Sequence, residues 1–137
     1  MVFREIDIND YIIYKNLLKQ LTIVNDFSKE EFCKYLNETK YKKTFMMVVD
    51  NKVVGTGSVI IEKKISRGFK SVGHIEDIVI NFNHRGNGYG KKLISYLKNY
   101  CEKNNCYKVI LNCDTKNKIF YDKNGFINKN IEMSYYI

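Results

Sequence analysis

Hydrophobic and polar positions alternate at the start of the chain and then change to a helical spacing. The stretch VFREIDI alternates apolar and polar side chains, which predicts a strand at about 2–8. Asn9 and Asp10 follow it and are good N-cap residues. The next stretch, DYIIYKNLLKQLTIV, has apolar residues at helical spacing, namely Ile13, Leu17, Leu18 and Leu21. The pattern therefore predicts a strand followed by a helix.

A second helix and a pair of strands are predicted next. Ser28 and Glu31 have the spacing of a capping box, which predicts that a helix begins at KEEFCKYLNE. The stretches TFMMVVD and KVVGTGSVIIEKK resemble strands, and Asp50-Asn51 between them is a hairpin signal. We expect a polar loop at 65–72 and then a third long strand, VGHIEDIVINF.

The second half of the chain alternates between helical and strand patterns. One apolar helix face is marked by Leu93, Ile94, Leu97, Tyr100 and Cys101. The stretch CYKVILNCD has a continuous apolar middle, which predicts a strand buried on both faces. A short helix, TKNKIFYDKNG, is expected to end at Gly125, and the tail INKNIEMSYYI is predicted to be a final strand.

The order of these elements is βααβββαβαβ. Antiparallel strands first and βαβ units later predict an α/β (α+β) fold, in which a mixed central sheet has helices on both faces. The sequence contains no internal repeat, low-complexity segment or linker. At 137 residues we expect one domain covering 1–137.

Composition restricts the partners. The net charge is +8, but the lysines are scattered rather than in one block, which favours small anions such as phosphate esters over nucleic acid. No apolar run is long enough to span a membrane and no apolar leader is visible, so we expect a cytoplasmic protein with no membrane partner. The four cysteines form no CxxC pair and there are only two histidines, so no metal site is expected.

The stretch NHRGNGYGKKL carries three glycines between a predicted strand and a predicted helix. Backbone N–H groups at the beginning of a helix bind phosphate, and glycines let a ligand approach the backbone closely. The GxGxG spacing fits neither the GxGxxG of a dinucleotide fold nor the GxxxxGK[ST] of a P-loop. A glycine-rich hairpin without a ligand is the alternative, which the following helix and the flanking basic residues disfavour.

This stretch resembles the pyrophosphate loop of the GNAT acetyltransferases, Arg/Gln-x-x-Gly-x-Gly/Ala. The matching residues are Arg85, Gly86, Asn87, Gly88, Tyr89 and Gly90. A second match, NxxFYxxxGF, is formed downstream by Asn117, Phe120, Tyr121, Gly125 and Phe126. The stretches GHIEDIVI, CYKVILNCD, KNKIFYDKNGF and NIEM resemble one family within that fold, the glucosamine-6-phosphate N-acetyltransferases.

The resemblance implies that the chain binds acetyl-CoA. The loop from Arg85 to Gly90, with Lys91, Asn117 and Phe120, would hold the cofactor. A bulge in the strand that contains EDIVI would splay it from its neighbour, so that the N–H groups of Ile78 and Val79 bind the acetyl carbonyl and Ile80 pairs with pantetheine. Tyr121 would then donate a hydrogen bond or a proton to the departing sulfur, since a phenol is protonated at neutral pH.

The resemblance also implies a substrate, D-glucosamine 6-phosphate. Glu76 and Asn112 would orient its amine. The other implied substrate residues are Asp77, Tyr107, Lys108, Lys64, Arg67 and Thr22. In a regular strand Asp77 would lie on the opposite face from Glu76.

The chain departs from the family pattern at two positions. Asn112 stands where the family has an aspartate, so no carboxylate base exists there. Tyr136 stands where the family has a phosphate-binding arginine. The family works as an intertwined homodimer, so we expect a homodimer with exchange of the C-terminal strand.

Two alternatives stay open at this stage. The chain could acetylate another small amine or a peptide on the same fold, although a +8 charge disfavours a cationic polyamine. It could also be a non-catalytic acetyl-CoA-binding protein, in which Asn112 and Tyr136 mark lost activity. The presence of Tyr121 and Glu76 disfavours that reading.

Overall fold

The computed structural model describes all residues from Met1 to Ile137. Its strands are β1 (Val2–Glu5), β2 (Lys42–Val49), β3 (Lys52–Lys63), β4 (Ser71–Ile80) and β5 (Cys106–Ile110). Its helices are α1 (Tyr11–Lys19), α2 (Lys29–Glu38), the single turn α3 (Ser66–Phe69), α4 (Tyr89–Lys103) and α5 (Lys118–Lys123). Short 3-10 segments cover Ile8–Asp10, Phe82–His84 and Thr115–Asn117.

The strands form one five-stranded sheet in the order β1-β2-β3-β4-β5. The first four strands pair antiparallel, and β5 pairs parallel to β4. This parallel pair is closed by the crossover through α4, as a parallel connection requires. The predicted mixed sheet is therefore confirmed.

Helices cover both faces of the sheet, as predicted. On one face α4 packs its buried Leu93, Ile94, Leu97 and Cys101 against strand residues such as Phe45, Met47 and Val59. On the other face α1 and α2 pack Tyr14, Leu17 and Phe32 against Met46 and Val79. No helix is long and apolar enough to cross a membrane.

Local signals explain where several elements begin and end. Ser28 and Glu31 form the predicted capping box at the start of α2. Asp50 and Asn51 both have positive φ, at 49° and 61°, which is the conformation of a tight hairpin turn. β1 ends earlier than predicted, because Asp7 starts a second capping box with Asp10.

Three sequence predictions are wrong. The loop expected at 65–72 is shorter, because β4 already begins at Ser71, and the turn α3 inside it is irregular, with positive φ at Arg67, Gly68 and Phe69. β5 is not buried on both faces, because it is the edge strand and its Ile110 is exposed. The tail predicted as a final strand forms no regular structure, and its apolar side chains at 127, 131, 133 and 135–137 are exposed.

Candidate active site

The pairing of β4 with β5 ends before the middle of β4, at the last residue of β5. Their pairing runs from Ser71 opposite Cys106 to His74 opposite Ile110 and then stops. On the other side of β4, the pairing with β3 shifts between Thr56 and Ser58. Asp77 and Ile78 together oppose the single residue Gly57, which is a β-bulge. The predicted bulge and splay are both present.

A cavity of about 340 Å³ lies where the two strands diverge. It is lined by six residues that the sequence had singled out: Glu76, Asp77, Ile78, Asn112, Asn117 and Tyr121. It is also lined by six that the sequence did not single out: Leu21, Ile75, Leu111, Cys113, Asp114 and Glu132. Four of these, Leu21, Ile75, Leu111 and Cys113, adjoin predicted residues in the chain, whereas no local signal marked Asp114 or Glu132. The fold therefore gathers residues from β4, α5, the tail and two connecting segments around one space.

Tyr121 enters this cavity from α5. Its ring packs edge-on against Phe120 and Phe126, with centroid distances of 5.0 and 5.8 Å. Burial raises the pKa of the phenol, and the nearby Cys113 raises it further. The hydroxyl therefore holds its proton at neutral pH and can act as a donor.

Glu76 and Asn112 both line the cavity. Glu76 is exposed and forms no salt bridge, so its carboxylate is free to accept a hydrogen bond from a cation or an amine. Asn112 lies beyond the end of β5, and Asp114 follows it with a side chain that caps nothing. The cavity thus has acceptors, with a carboxylate on each side.

Asp77 is engaged by a partner inside the protein. Its Oδ2 lies 2.7 Å from Nζ of Lys42 on β2. The Lys42 side chain lies on the sheet face that packs against α1 and α2. Asp77 has a φ of 52°, so the strand is not regular there. The expectation that Asp77 and Glu76 lie on opposite faces therefore does not apply.

The register of β4 orients its backbone N–H groups. The N–H of Asn81 donates to the carbonyl of Val54 on β3, at 2.8 Å. Because this direction alternates along an antiparallel strand, Val79 is directed towards Thr56, and Ile78 and Ile80 are directed away from β3. This geometry favours Ile78 over Val79 as a donor into the opening between β4 and β5.

The glycine loop stands beside the cavity at the beginning of α4. Gly86 and Gly88 have φ of 80° and 75°, and the space in which a Cβ would stand at either glycine is open. Gly88 is the N-cap of α4, whose first N–H groups point out of the helix. Arg85 donates through Nε to the carbonyl of Ile80 at 3.1 Å, and Gly90 packs against the ring of Phe120. The glycine loop therefore contacts both β4 and α5.

A cluster of cations lies further along the sheet. The guanidinium of Arg67 lies 4.9 Å from the ring centroid of Tyr107, and Nζ of Lys108 lies 5.6 Å from it. Lys64 lies nearby but is paired with Glu62 at 2.8 Å. The cavity is lined by none of these four predicted substrate residues, Lys64, Arg67, Tyr107 and Lys108. Thr22 follows the end of α1, next to Leu21 at the cavity rim, rather than lying within the helix.

Residues 11–126 match the Acetyltransferase (GNAT) family. The chain belongs to this family. The resemblance seen in the sequence is therefore confirmed.

Among curated relatives, the chain is similar to the glucosamine 6-phosphate N-acetyltransferase of Arabidopsis thaliana. The two are 42% identical over 88% of this chain and 85% of the relative. The glucosamine 6-phosphate N-acetyltransferase 1 of Dictyostelium discoideum is 39% identical over 98% of this chain and 90% of the relative. Similarity to these enzymes thus extends over nearly the whole chain.

Solved structures give the same result. The crystal structure of the Arabidopsis thaliana glucosamine-6-phosphate N-acetyltransferase superposes with a TM-score of 0.91 at 38% identity, covering 98% of this chain and 97% of that one. A Trypanosoma brucei acetyltransferase superposes with a TM-score of 0.92 at 31% identity, covering 99% of each chain.

Proposed function

We propose that this acetyltransferase transfers the acetyl group of acetyl-CoA to the amine of D-glucosamine 6-phosphate, giving N-acetyl-D-glucosamine 6-phosphate and CoA. The observation that carries the proposal is the cavity between the splayed strands, where Glu76, Asn112 and Tyr121 meet beside the glycine loop. The names of the two curated relatives support the choice of sugar.

The glycine loop has the chemistry to hold the pyrophosphate of acetyl-CoA. Open space over Gly86 and Gly88 lets phosphate oxygens reach the backbone, and the first N–H groups of α4 are donors. Lys91 adds a positive charge, and Asn117 and Phe120 lie where the acyl end would enter. Acetyl-CoA supplies an activated thioester, and the loop and the first turn of α4 orient it.

The bulge supplies a donor for the thioester carbonyl oxygen, which becomes negative during attack. We assign this role to the N–H of Ile78, because Val79 is directed towards β3. An N–H that is fixed before reaction needs no reorganisation, and one such donor contributes about 10²–10³-fold to the rate in other acyl-transfer enzymes. Ile80, which is also directed away from β3, would pair with the pantetheine arm.

Tyr121 serves the sulfur that leaves. Its raised pKa keeps the phenol protonated, so the hydroxyl donates to the sulfur as negative charge develops there. The T-shaped packing against Phe120 and Phe126 fixes the direction of that hydroxyl.

Glu76 and Asn112 orient the amine of the sugar. The carboxylate of Glu76 and the side-chain or backbone carbonyl of Asn112 can each accept a hydrogen bond from it. Asparagine does not ionise, so Asn112 cannot take up a proton, and the proton that the amine loses passes to water. The family's aspartate is therefore not essential for orientation.

The phosphate of the sugar needs cations, which we propose come from a second copy of the chain. The cluster of Arg67, Tyr107 and Lys108 lies beside Val72, four residues before Glu76, which corresponds to roughly 13 Å along a strand. The exposed apolar tail after Gly125 would exchange between the two copies and pair with the open edge of β5. In this homodimer Tyr136 would replace the family's arginine with an uncharged hydroxyl, and Arg67 would compensate.

A substrate panel tests the proposal. Product formation from acetyl-CoA would be followed by chromatography, because the exposed thiols of Cys33 and Cys113 would react with thiol dyes. We expect turnover with glucosamine 6-phosphate, weak turnover with glucosamine and none with glucose 6-phosphate, which lacks the amine. Faster acetylation of a lysine peptide than of the sugar phosphate would contradict the assignment.

A further inference from the structure

A lysine far from the reacting groups is connected to the bulge. Lys42 lies at the start of β2 and is separated from Asp77 by 35 positions in the chain. Its Nζ lies 2.7 Å from Oδ2 of Asp77 and 3.3 Å from the hydroxyl of Tyr35, and the Lys42 side chain is only 15% exposed. Asp77 forms no other side-chain hydrogen bond. The pair therefore joins the first residue of one strand to the irregular residue of another.

The pair lies on the same face of the sheet as two buried hydroxyl groups, those of Thr44 and Ser58. Side chains of β2 alternate between faces, so Lys42, Thr44 and Met46 share the face covered by α1 and α2. Below the bulge, the hydroxyls of Thr44 and Ser58 lie 2.7 Å apart. Ser58 is also the register partner of Glu76. The carboxylate of Asp77 is thus directed towards the sheet face covered by α1 and α2, where Nζ of Lys42 contacts it.

The backbone of Asp77 gives this contact its significance. With a φ of 52°, Asp77 has the left-handed conformation that residues with a Cβ rarely adopt. Such a residue persists only where its surroundings hold it in place. Burial opposes the charge on Lys42, but the hydrogen bond and the attraction of Asp77 outweigh it, so the pKa of Lys42 is raised and its ammonium group stays protonated at neutral pH.

We propose that Lys42 is a positioning residue, whose ion pair with Asp77 holds the bulge and so directs the N–H of Ile78 into the opening between β4 and β5. This inference rests on the proposed function. It also gives Asp77 a role other than the one expected from the sequence: its carboxylate supports the bulge and does not bind the sugar.

Single variants give the first test. Lys42→Met should lower kcat by about 10²-fold, the range for loss of one oxyanion donor. The affinity for CoA, measured by calorimetry, should change less than about 2-fold, because the glycine loop is untouched. Lys42→Arg should recover most of kcat. Lys43→Met is the matched control, because Lys43 points to the opposite face and pairs with Glu5 at 3.3 Å. Equal kcat in the Lys42→Met and Lys43→Met variants would overturn the proposal.

A glycine at position 77 gives the decisive test. Glycine adopts positive φ without strain, so a bulge with Asp77→Gly needs no ion pair to hold it. The double variant Lys42→Met/Asp77→Gly should therefore have a kcat at least about 10-fold above that of Lys42→Met alone. If Asp77 instead bound the sugar, Asp77→Gly would raise KM for glucosamine 6-phosphate in both backgrounds, and the inference would be wrong.

Amide hydrogen exchange separates this inference from the proposed function. Exchange at Val79, whose N–H is directed towards β3, should be faster in Lys42→Met and return to the wild-type rate in the double variant, whether or not the sugar is the substrate. A wild-type protein that acetylates no sugar phosphate would disprove the proposed function alone. Unchanged exchange in a folded Lys42→Met variant would disprove the role of Lys42 alone.

Discussion

Tyr121 is fixed by aromatic packing and also lines the cavity. Its ring is held by two aromatic neighbours, and its hydroxyl still lines the cavity. Burial raises its pKa, so the phenol is a permanent donor at neutral pH rather than a group that titrates there.

We expect Tyr121→Phe to lower kcat by about 10²-fold, at the lower end of what a general acid contributes. The ring remains, so packing and acetyl-CoA affinity should change little. Steady-state kinetics and calorimetry would measure the two effects separately. Tyr96→Phe is a suitable control, because Tyr96 stacks on Phe3 away from the cavity. An equal loss of kcat and of acetyl-CoA binding in Tyr121→Phe would exclude the proton-donor role.

Tyr14 gives a prediction about pH. Burial, with smaller contributions from Tyr35 and Asp77, raises the pKa of this phenol to about 12, against opposition from Lys42 and Thr44. Above the ordinary value of about 10 the unfolded chain loses this proton while the folded chain keeps it, so stability falls as pH rises. Below pH 10 both states are protonated and the stability contributed is complete.

The free energy of unfolding should therefore fall by about 1.4 kcal/mol more in the wild type than in Tyr14→Phe between pH 8 and pH 11. Urea titrations at the two pH values would measure it. The other tyrosines are common to both proteins, so their titration cancels in the difference. Parallel pH profiles for the two proteins would show that Tyr14 ionises as easily folded as unfolded.

At the scale of elements, the N-terminus of α4 is the part of a helix on which the proposed pyrophosphate site depends. Gly88 is its N-cap with a φ of 75° and open space around it. The residue therefore allows the backbone conformation, and under the proposed function its open space admits the pyrophosphate. No side chain caps this end, which leaves the first N–H groups of the helix for an anion.

We expect Gly88→Ala to raise KM for acetyl-CoA by about 10-fold, since the Cβ imposes strain of roughly 1–2 kcal/mol in this conformation and narrows the loop. Gly68→Ala is the matched control, because Gly68 has a φ of 70° and equally open space but lies in α3. The control should lose similar stability with unchanged KM for acetyl-CoA. A similar KM increase in both variants would count against a pyrophosphate site at the loop.

The sequence predicted those elements whose signals are local. The capping box of Ser28, the turn at Asp50-Asn51 and the glycine loop each depend on a few adjacent residues. The apolar patterns of β5 and the tail were recognised, but an apolar pattern does not say which surface covers it. β5 was predicted to be buried on both faces and the tail to be a strand, and the single chain provides neither.

In the candidate site, too, the residues that belong to local motifs were predicted and the contacts between distant strands were not. Glu76, Asn112, Asn117 and Tyr121 belong to motifs, and the fold does bring them to one cavity. The contact of Lys42 with Asp77 had no signal, because it depends on the pairing of strands far apart in the chain. The bulge itself was inferred from resemblance and not from its residues, since an aspartate with positive φ has no sequence pattern of its own.

At the scale of the whole molecule, the tail is the part without a partner. Ile131, Met133, Tyr135 and Tyr136 are each at least 85% exposed. Apolar side chains exposed together in this way mark an interaction surface. The open edge of β5, which also has exposed Ile110, offers unpaired backbone groups beside it.

We expect light scattering to give a mass of twice 16.2 kDa for this chain. Replacing Ile131 and Met133 with serine should shift the mass to that of the monomer and remove most activity, because the apolar contacts are lost. The matched control replaces Lys129 and Asn130 of the same tail, also with serine, and should stay dimeric. A monomeric and fully active wild-type protein would refute the homodimer.

The uncovered tail has a practical consequence for anyone handling the protein. If each active site takes its phosphate-binding cations from a second copy of the chain, the turnover rate per chain depends on the protein concentration. A dilute enzyme solution would lose activity slowly as the dimers dissociate. Concentrating the solution again would restore the activity. Cells could then regulate output steeply through expression level alone, because doubling the number of molecules would more than double the flux.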